Sequence, residues 1–263
     1  MYLNLKNKVA LVSASSKGLG YGIAMALAKE GAFISIGSRD KNNLKKAEEN
    51  IKSATGTKVL ATELDCLNAE SISKWIENTY TQFGGVDKLV VNAGGPPAGK
   101  FEDFYDEDWQ TAFEMNLLSA VRMIRGTLPL MRKRGGGSIL TITSMSVKEP
   151  IDVLILSNVL RSGVTSLIKS LSIQFAEYNI RLNNLMPGKI DTERIRNLDS
   201  KRSEIESSSI EKIKEKSFNQ IPLSRYGTIE EFGNCGAFLL SDAASYITGS
   251  SLAVDGGALK TVW

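Results

Sequence analysis

The residues most able to do chemistry lie near the start of the chain. Ser13, Ala14, Ser15, Ser16, Lys17, Gly18, Leu19 and Gly20 follow the apolar run Val9 to Val12 and lead into a helical stripe. A glycine-rich turn between strand and helix points free N–H groups into a crevice, where a phosphate is favoured. Gly18 and Gly20 allow a pyrophosphate to approach the backbone, and the serines offer hydroxyls. The same turn also suits tight helix packing with no ligand at all. A second cluster is Ile36-Gly37-Ser38-Arg39-Asp40. A carboxylate at the tip of the second strand would bind a ribose diol and repel a 2′-phosphate. Arg39 lies in this run, and Lys17 in the turn adds a second cation. Arginine grips phosphate with two parallel bonds and lysine supplies a compact charge, a pairing that favours NADP(H) over NAD(H). The alternative is that both are solvated surface charges, with Asp40 partly neutralising Arg39.

These groups need a scaffold, and the apolar runs supply one. Val9 to Val12, Phe33 to Ile36, Val59 to Leu64, Leu89 to Val91, Ile139 to Ile142, Ile180 to Leu185 and Leu252 to Val254 read as strands buried on both faces. Helical patterns separate them, as in the stripe Leu19, Ile23, Ala26 and Leu27. Strand–helix alternation of this kind predicts a single α/β domain with a Rossmann-like, doubly wound sheet of about seven parallel strands and helices on both faces. The segment 193–217 breaks the rhythm, being crowded with Glu, Lys, Arg and Ser. It reads either as a solvated helical surface or as a lid over a substrate pocket.

Composition excludes several functions. The 263 residues contain no histidine, which removes Ser-His-Asp hydrolysis and histidine–zinc chemistry, and no metal site is expected. The 32 Lys plus Arg against 29 Asp plus Glu are spread along the chain rather than gathered in a nucleic-acid stripe. No run approaches the ~20 apolar residues of a membrane span, and no signal-peptide core precedes Val9. A cytoplasmic protein with small-molecule partners is expected, in which Cys66 and Cys235 are buried small hydrophobes.

With these residues in view, the chain resembles the short-chain dehydrogenase/reductase family. That family's turn reads Thr-Gly-x-x-x-Gly-x-Gly, with Ser13 here for Thr and Ala14 for the first Gly. Asp65 after the third strand, Asn92-Ala93-Gly94 after the fourth, Asn116, Ser144, Pro187-Gly188-Lys189-Ile190-Asp191-Thr192, Thr248-Gly249 and Asp255-Gly256-Gly257 follow in family order. The resemblance implies an NADP(H) site formed by Ser13, Ser16, Lys17, Gly18, Leu19, Gly20, Ser38, Arg39, Asp65, Asn92, Ala93, Gly94, Pro187, Gly188, Ile190 and Thr192. It also implies a homodimer or homotetramer assembled through helices around Trp109 to Met131 and Asn158 to Phe175. Ala14 is tolerated only at negative φ; otherwise strain of about 1 kcal/mol or more follows.

The catalytic register departs from the family. Its Tyr, four residues before a Lys, falls on Ser157 and Arg161, so the implied catalytic set is Ser144, Ser157, Arg161 and Asn116. Serine is a far weaker acid than the phenol of tyrosine, and Arg161 keeps its proton. Three hydrogen-bond donors, Ser144, Ser157 and Arg161, remain able to stabilise an alkoxide. Lys189, Lys148 and Glu149 are alternative proton donors, or else surface charges. Asn116 either orders water near Arg161 or bonds to nearby backbone, and Gly94-Gly95-Pro96-Pro97 forms a stiff loop beside the pocket. The expected function is an NADP(H)-dependent oxidoreductase acting on a small carbonyl or hydroxyl compound, with an atypical proton-delivery site. The alternatives are a catalytically weak NADP(H)-binding regulatory or structural protein, and non-redox chemistry such as dehydration in the same cleft.

Overall fold

In the computed structural model, which describes residues 2–262, all seven expected strands form and pair in parallel. They are β1 (Val9–Ser13), β2 (Phe33–Ser38), β3 (Val59–Glu63), β4 (Lys88–Val91), β5 (Gly137–Ile142), β6 (Ile180–Pro187) and β7 (Ser251–Val254). Their order is β3-β2-β1-β4-β5-β6-β7, so the direction of winding reverses between β1 and β4. A crevice opens at such a reversal, beyond the carboxyl ends of the strands. The helices are α1 (Gly18–Lys29), α2 (Lys41–Thr55), α3 (Ala69–Phe83), α4 (Asp106–Phe113), α5 (Ser119–Lys133), α6 (Ile155–Gln174), α7 (Glu193–Ile205), α8 (Ile210–Phe218) and α9 (Ile229–Leu240).

Strand alternation divides the core in two. Ala10 and Val12 of β1 join Ile34, Ile36, Leu140 and Leu185 in one layer, packed against Ile23 and Leu27 of α1 and Phe232 of α9. Val9 and Leu11 point the other way, to Leu89 and Ile139 and to Trp75, Met123 and Ile168 of α3, α5 and α6. Both faces of β1 are therefore dry, which is why its sequence is an unbroken apolar run. Helices α1 and α9 meet through glycines: a Cβ on Gly233 would stand 2.4 Å from the Gly22 carbonyl oxygen.

Two expectations change on contact with the structure. The helical region from Trp109 to Met131 is interrupted by a π-turn at Glu114–Leu118, which holds Asn116. The cysteines are half-buried rather than buried; Cys66 packs against the second core layer and Cys235 against the first. Residues 193–217 lie in α7, α8 and the short link between them, the helical form the sequence allowed, and are anchored inward by Ile213, Ser217 and Asp199, which is 3% exposed and accepts a bond from the Tyr226 hydroxyl at 3.0 Å.

Lys88 sits at the amino end of β4, opposite the crevice, beside Ala10 and Ser138 and only 5% exposed. Burial pulls its ammonium down to about 8, with Asp242 opposing and Arg181 adding to the shift. The unfolded chain holds that proton up to the ordinary 10.5, so between these values it binds more protons than the folded chain. Stability is therefore expected to rise with pH from about 8 to 10.5, by roughly 3 kcal/mol from this residue. Urea denaturation across that range should show the rise in the wild type. In Lys88→Met the rise should be mostly absent, with higher stability at pH 7.

Candidate active site

The glycine turn is held from behind by β4. Ser13 is fully buried; its hydroxyl donates to the Asn92 carbonyl at 2.7 Å and accepts from the Asn92 N–H at 2.8 Å. The hydroxyl is thus spent on shaping the turn. Asn92 Nδ2 donates to the Ala14 carbonyl at 3.0 Å, and a Cβ on Gly20 would stand 2.7 Å from that same oxygen. Gly20 is needed because α1 starts against this carbonyl. Ala14 has φ +46°, the left-handed conformation that a Cβ disfavours. The condition for tolerating Ala14 without strain is not met.

The start of α1 is electrostatically bare. Its capping position, Lys17, contributes no side-chain bond, and the first turn holds no acid. By contrast α2, α3, α7, α8 and α9 are capped by Asp40, Asn68, Thr192, Ser209 and Thr228. The first N–H groups of a helix have no intrahelical partner, so those of α1 are left for a ligand. Gly18, at φ +64°, faces Thr192 across the crevice: a Cβ there would lie 3.9 Å from the threonine methyl. Leu19 packs against the first core layer.

At the tip of β2, the Ser16 and Ser38 hydroxyls lie 2.9 Å apart. Arg39 is exposed and forms no ion pair among the described residues. Asp40 does not neutralise it, being turned into the α2 cap, where it accepts from the Asn43 N–H at 2.9 Å and its side-chain amide at 2.7 Å. The adjacent carboxylate, Glu63, pairs with Lys41 at 3.0 Å. Lys17 is already engaged, its Nζ 2.5 Å from Glu193 of α7. Asp65 accepts from the Leu67 N–H at 3.0 Å. Beside it, burial and the Asp65 charge push the Cys66 thiol up to about 11, leaving it protonated at neutral pH.

The far side of the crevice is built from β5, β6 and α6. Ser144 follows β5 and its Oγ accepts from the Ser146 N–H at 3.1 Å, capping a 3₁₀ turn over Met145–Val147. Ser157 and Arg161 lie one turn apart on α6, and Ser157 is 7% exposed. Arg161 Nη1 donates to the Ile142 carbonyl at 2.7 Å, tying α6 to the end of β5. Burial, with the nearby Arg194 charge, pulls its guanidinium down to about 10, so it remains a cation at neutral pH. Asn116 Nδ2 donates to the Ala112 carbonyl at 3.1 Å, the backbone role considered for it, while its buried Oδ1 has no partner. Thr143 Oγ1 and Ser146 Oγ share that condition, and the three are the unpartnered buried side-chain atoms among the described residues. The π-turn brings Met115 over the Asn92-Ala93-Gly94 loop, its sulfur 3.7 Å from a Cβ placed on Gly94.

Past β6, a Cβ on Gly188 would lie 2.6 Å from the Asp255 Cα, so β6 and β7 leave the sheet in contact. Pro187 pairs with Val254, Ile190 is buried and bridges to Gly227, and Thr192 caps α7. Of the alternative proton donors, Lys189 has a lowered pKa through burial and then the Arg202 charge, opposed by Asp199. Its amine donates to Ser217 of α8 at 2.8 Å. Lys148 is exposed, and Glu149 Oε2 accepts from the Lys260 N–H at 3.5 Å. Arg194 was not anticipated. Nothing in its charge-rich surroundings distinguishes it from a solvated helix face.

A doubly wound parallel sheet with a bare, glycine-rich helix start at its reversal point defines a Rossmann-like nucleotide-binding scaffold. A family profile described as Enoyl-(Acyl carrier protein) reductase matches residues 13–258. Dehydrogenase/reductase SDR family member 4 of Oryctolagus cuniculus is 35% identical over 255 residues, 97% of this chain and 94% of that protein. The L-sorbose reductase of Gluconobacter frateurii, solved with NADPH and L-sorbose, superposes with a TM-score of 0.96 at 33% identity, covering 100% of both chains. A 7α-hydroxysteroid dehydrogenase solved with NADH and 7-oxo glycochenodeoxycholic acid gives 0.89 at 28% identity, covering 100% of this chain and 98% of its own. The chain belongs to the short-chain dehydrogenase/reductase family, a family of oxidoreductases that use nicotinamide cofactors.

Replacing Ala14 by Gly should relieve the left-handed strain and stabilise the protein by about 1 kcal/mol. The midpoint of urea denaturation is expected to rise with an unchanged slope.

Proposed function

We propose that this chain is an NADP(H)-dependent oxidoreductase acting on a small carbonyl or hydroxyl compound, with a proton-delivery site unlike the family's. The observation that carries the coenzyme preference is Arg39, exposed and unpaired at the tip of β2 while both neighbouring carboxylates are engaged elsewhere. A 2′-phosphate there meets one guanidinium and two hydroxyls, Ser16 and Ser38, with Asp40 and Glu63 held in bonds of their own. Lys17 adds charge by exchanging an exposed ion pair, typically worth less than about 1 kcal/mol, for the phosphate. The bare start of α1 and the open space at Gly18 fit the pyrophosphate. When bound, the coenzyme supplies the hydride-carrying nicotinamide.

At the reacting end, this chain's residues stabilise charge better than they move protons. Arg161, fixed by the Ile142 carbonyl, holds positive charge at the exit of β5. Ser144 and Ser157 offer hydroxyls to a developing alkoxide, and Asn116 Oδ1 is an open acceptor for a water molecule. None of these titrates near pH 7, so the proton is read as coming from solvent. That same fact favours a second reading, a catalytically weak NADP(H)-binding regulatory or structural protein.

The remaining assignments are also proposals. The cofactor and catalytic sets named from the sequence are kept, with Ser13 acting from behind the turn. Residues 193–217 are taken as a lid in one single-domain protein, since Lys17–Glu193 already bridges from α1's turn to α7. Self-association is favoured by Val159 and Ile173 of α6, 48% and 72% exposed. No helix among the described residues is long and apolar enough to cross a membrane, and a cytoplasmic location is retained as part of the reading.

Calorimetry should find NADPH bound about tenfold or more tighter than NADH, a gap of ~1.4 kcal/mol or more. Arg39→Ala is expected to bring the two within about twofold, with NADH affinity unchanged. Equal affinities in the wild type, or binding of neither, would overturn the coenzyme assignment. Ser157→Tyr combined with Arg161→Lys should raise turnover of aldehydes and ketones by about 100-fold, the usual contribution of a positioned acid. Tight NADPH binding without turnover of any aldehyde or ketone would instead support the second reading.

A further inference from the structure

We infer that Arg161 and Arg194 form an anion site at the reacting end of the crevice, and that the substrate carries a carboxylate beside its reacting carbon, as in a 2-oxo acid or 2-hydroxy acid. This inference names the substrate class and rests on the oxidoreductase reading above.

Two guanidinium groups arrive at adjacent strand exits. Arg161 is bound to Ile142, the last residue of β5. Arg194, in the first turn of α7, lies over Gly95, just beyond β4: a Cβ on that glycine would stand 2.3 Å from Nη1 and 2.6 Å from Nη2. Only a residue without a side chain leaves Arg194 this position. β4 and β5 are paired neighbours, and the two arginines are close enough for one charge to depress the other's pKa.

Neither arginine forms an ion pair among the described residues, although Arg134, Arg196 and Arg225 each do. Glu193, adjacent to Arg194 in sequence, is committed to Lys17. Arg161 spends one of its five N–H donors on a carbonyl. Two like charges held together without a counter-ion repel each other, and a carboxylate between them offsets that cost. A planar carboxylate also accepts paired bonds from a guanidinium. The surroundings are polar: Thr143 Oγ1, Ser146 Oγ and Asn116 Oδ1 are buried with bonding capacity unused. The coenzyme phosphates have their own place at the start of α1, leaving this pair of cations for the substrate. The overall change balances as 2-oxo acid, reduced coenzyme and one proton giving 2-hydroxy acid and oxidised coenzyme.

The test pairs pyruvate and 2-oxohexanoate with their neutral counterparts acetone and 2-hexanone. NADPH oxidation is followed in wild type, Arg194→Gln and Arg194→Lys, and 2-oxohexanoate binding is measured by calorimetry with and without NADPH. Wild type should prefer the acids by about tenfold or more in kcat/KM. Arg194→Gln should remove most of that preference while leaving NADPH affinity unchanged, and Arg194→Lys should restore part of it. No preference for the acids together with no calorimetric binding overturns the inference. So does an Arg194→Gln variant that loses NADPH and acid affinity by the same factor, because Arg194 then serves the coenzyme. Binding of 2-oxohexanoate that depends on Arg194 but leads to no turnover supports the anion site while overturning the oxidoreductase reading.

Discussion

A sheet covered on both faces consumes almost all its polar backbone internally, and what remains unspent is concentrated where strands end and helices begin. In this chain that remainder is gathered at one end of the sheet. The α1 amides are open because the residue before them donates no cap and the Ala14 carbonyl is turned toward Asn92. Every other feature of the crevice is arranged around that uncompensated positive end: Gly18 keeps it clear, Ser13 braces it from β4, and Thr192 faces it from beyond β6.

Charge is distributed along the crevice in two groups. Lys17 and Arg39 stand at the end where the sheet reaches β2, and Arg161 and Arg194 at the exits of β5 and β4. The carboxylates nearest the first group are occupied: Asp40 caps a helix, Glu63 meets Lys41 and Glu193 meets Lys17. A cleft that neutralises its own acids while leaving arginines unpaired creates a positive potential, which draws in anionic small molecules. In the reading proposed above, the same arrangement separates binding from proton transfer, since Arg161 stays a cation at neutral pH and Ser157 is a weak acid.

The architecture was legible because burial on both faces writes itself as consecutive apolar residues. Val9 to Val12 and Ile139 to Ile142 needed no further signal. Turn chemistry was legible only in part. The glycines marked the turn, but that Ala14 occupies positive φ depends on Asn92, 78 residues away, gripping its carbonyl. The π-turn at Asn116 leaves no mark in composition or periodicity, since a π-turn uses the same residues as an α-helix. Arg194 was hidden for another reason: its position over Gly95 follows from how α7 leaves β6, and its neighbours are as charged as any solvated surface.

The contact between Lys17 and Glu193 ties the first loop of the fold to a helix 176 positions later. An ammonium group cannot serve two anions fully, so any phosphate taken up by Lys17 weakens its hold on Glu193. Occupancy of the opening loop and the posture of α7 are then two readings of one equilibrium, and each must bias the other by the same factor. In the proposed reading of residues 193–217 as a lid, this exchange links nucleotide uptake at the opening loop to the hold on α7.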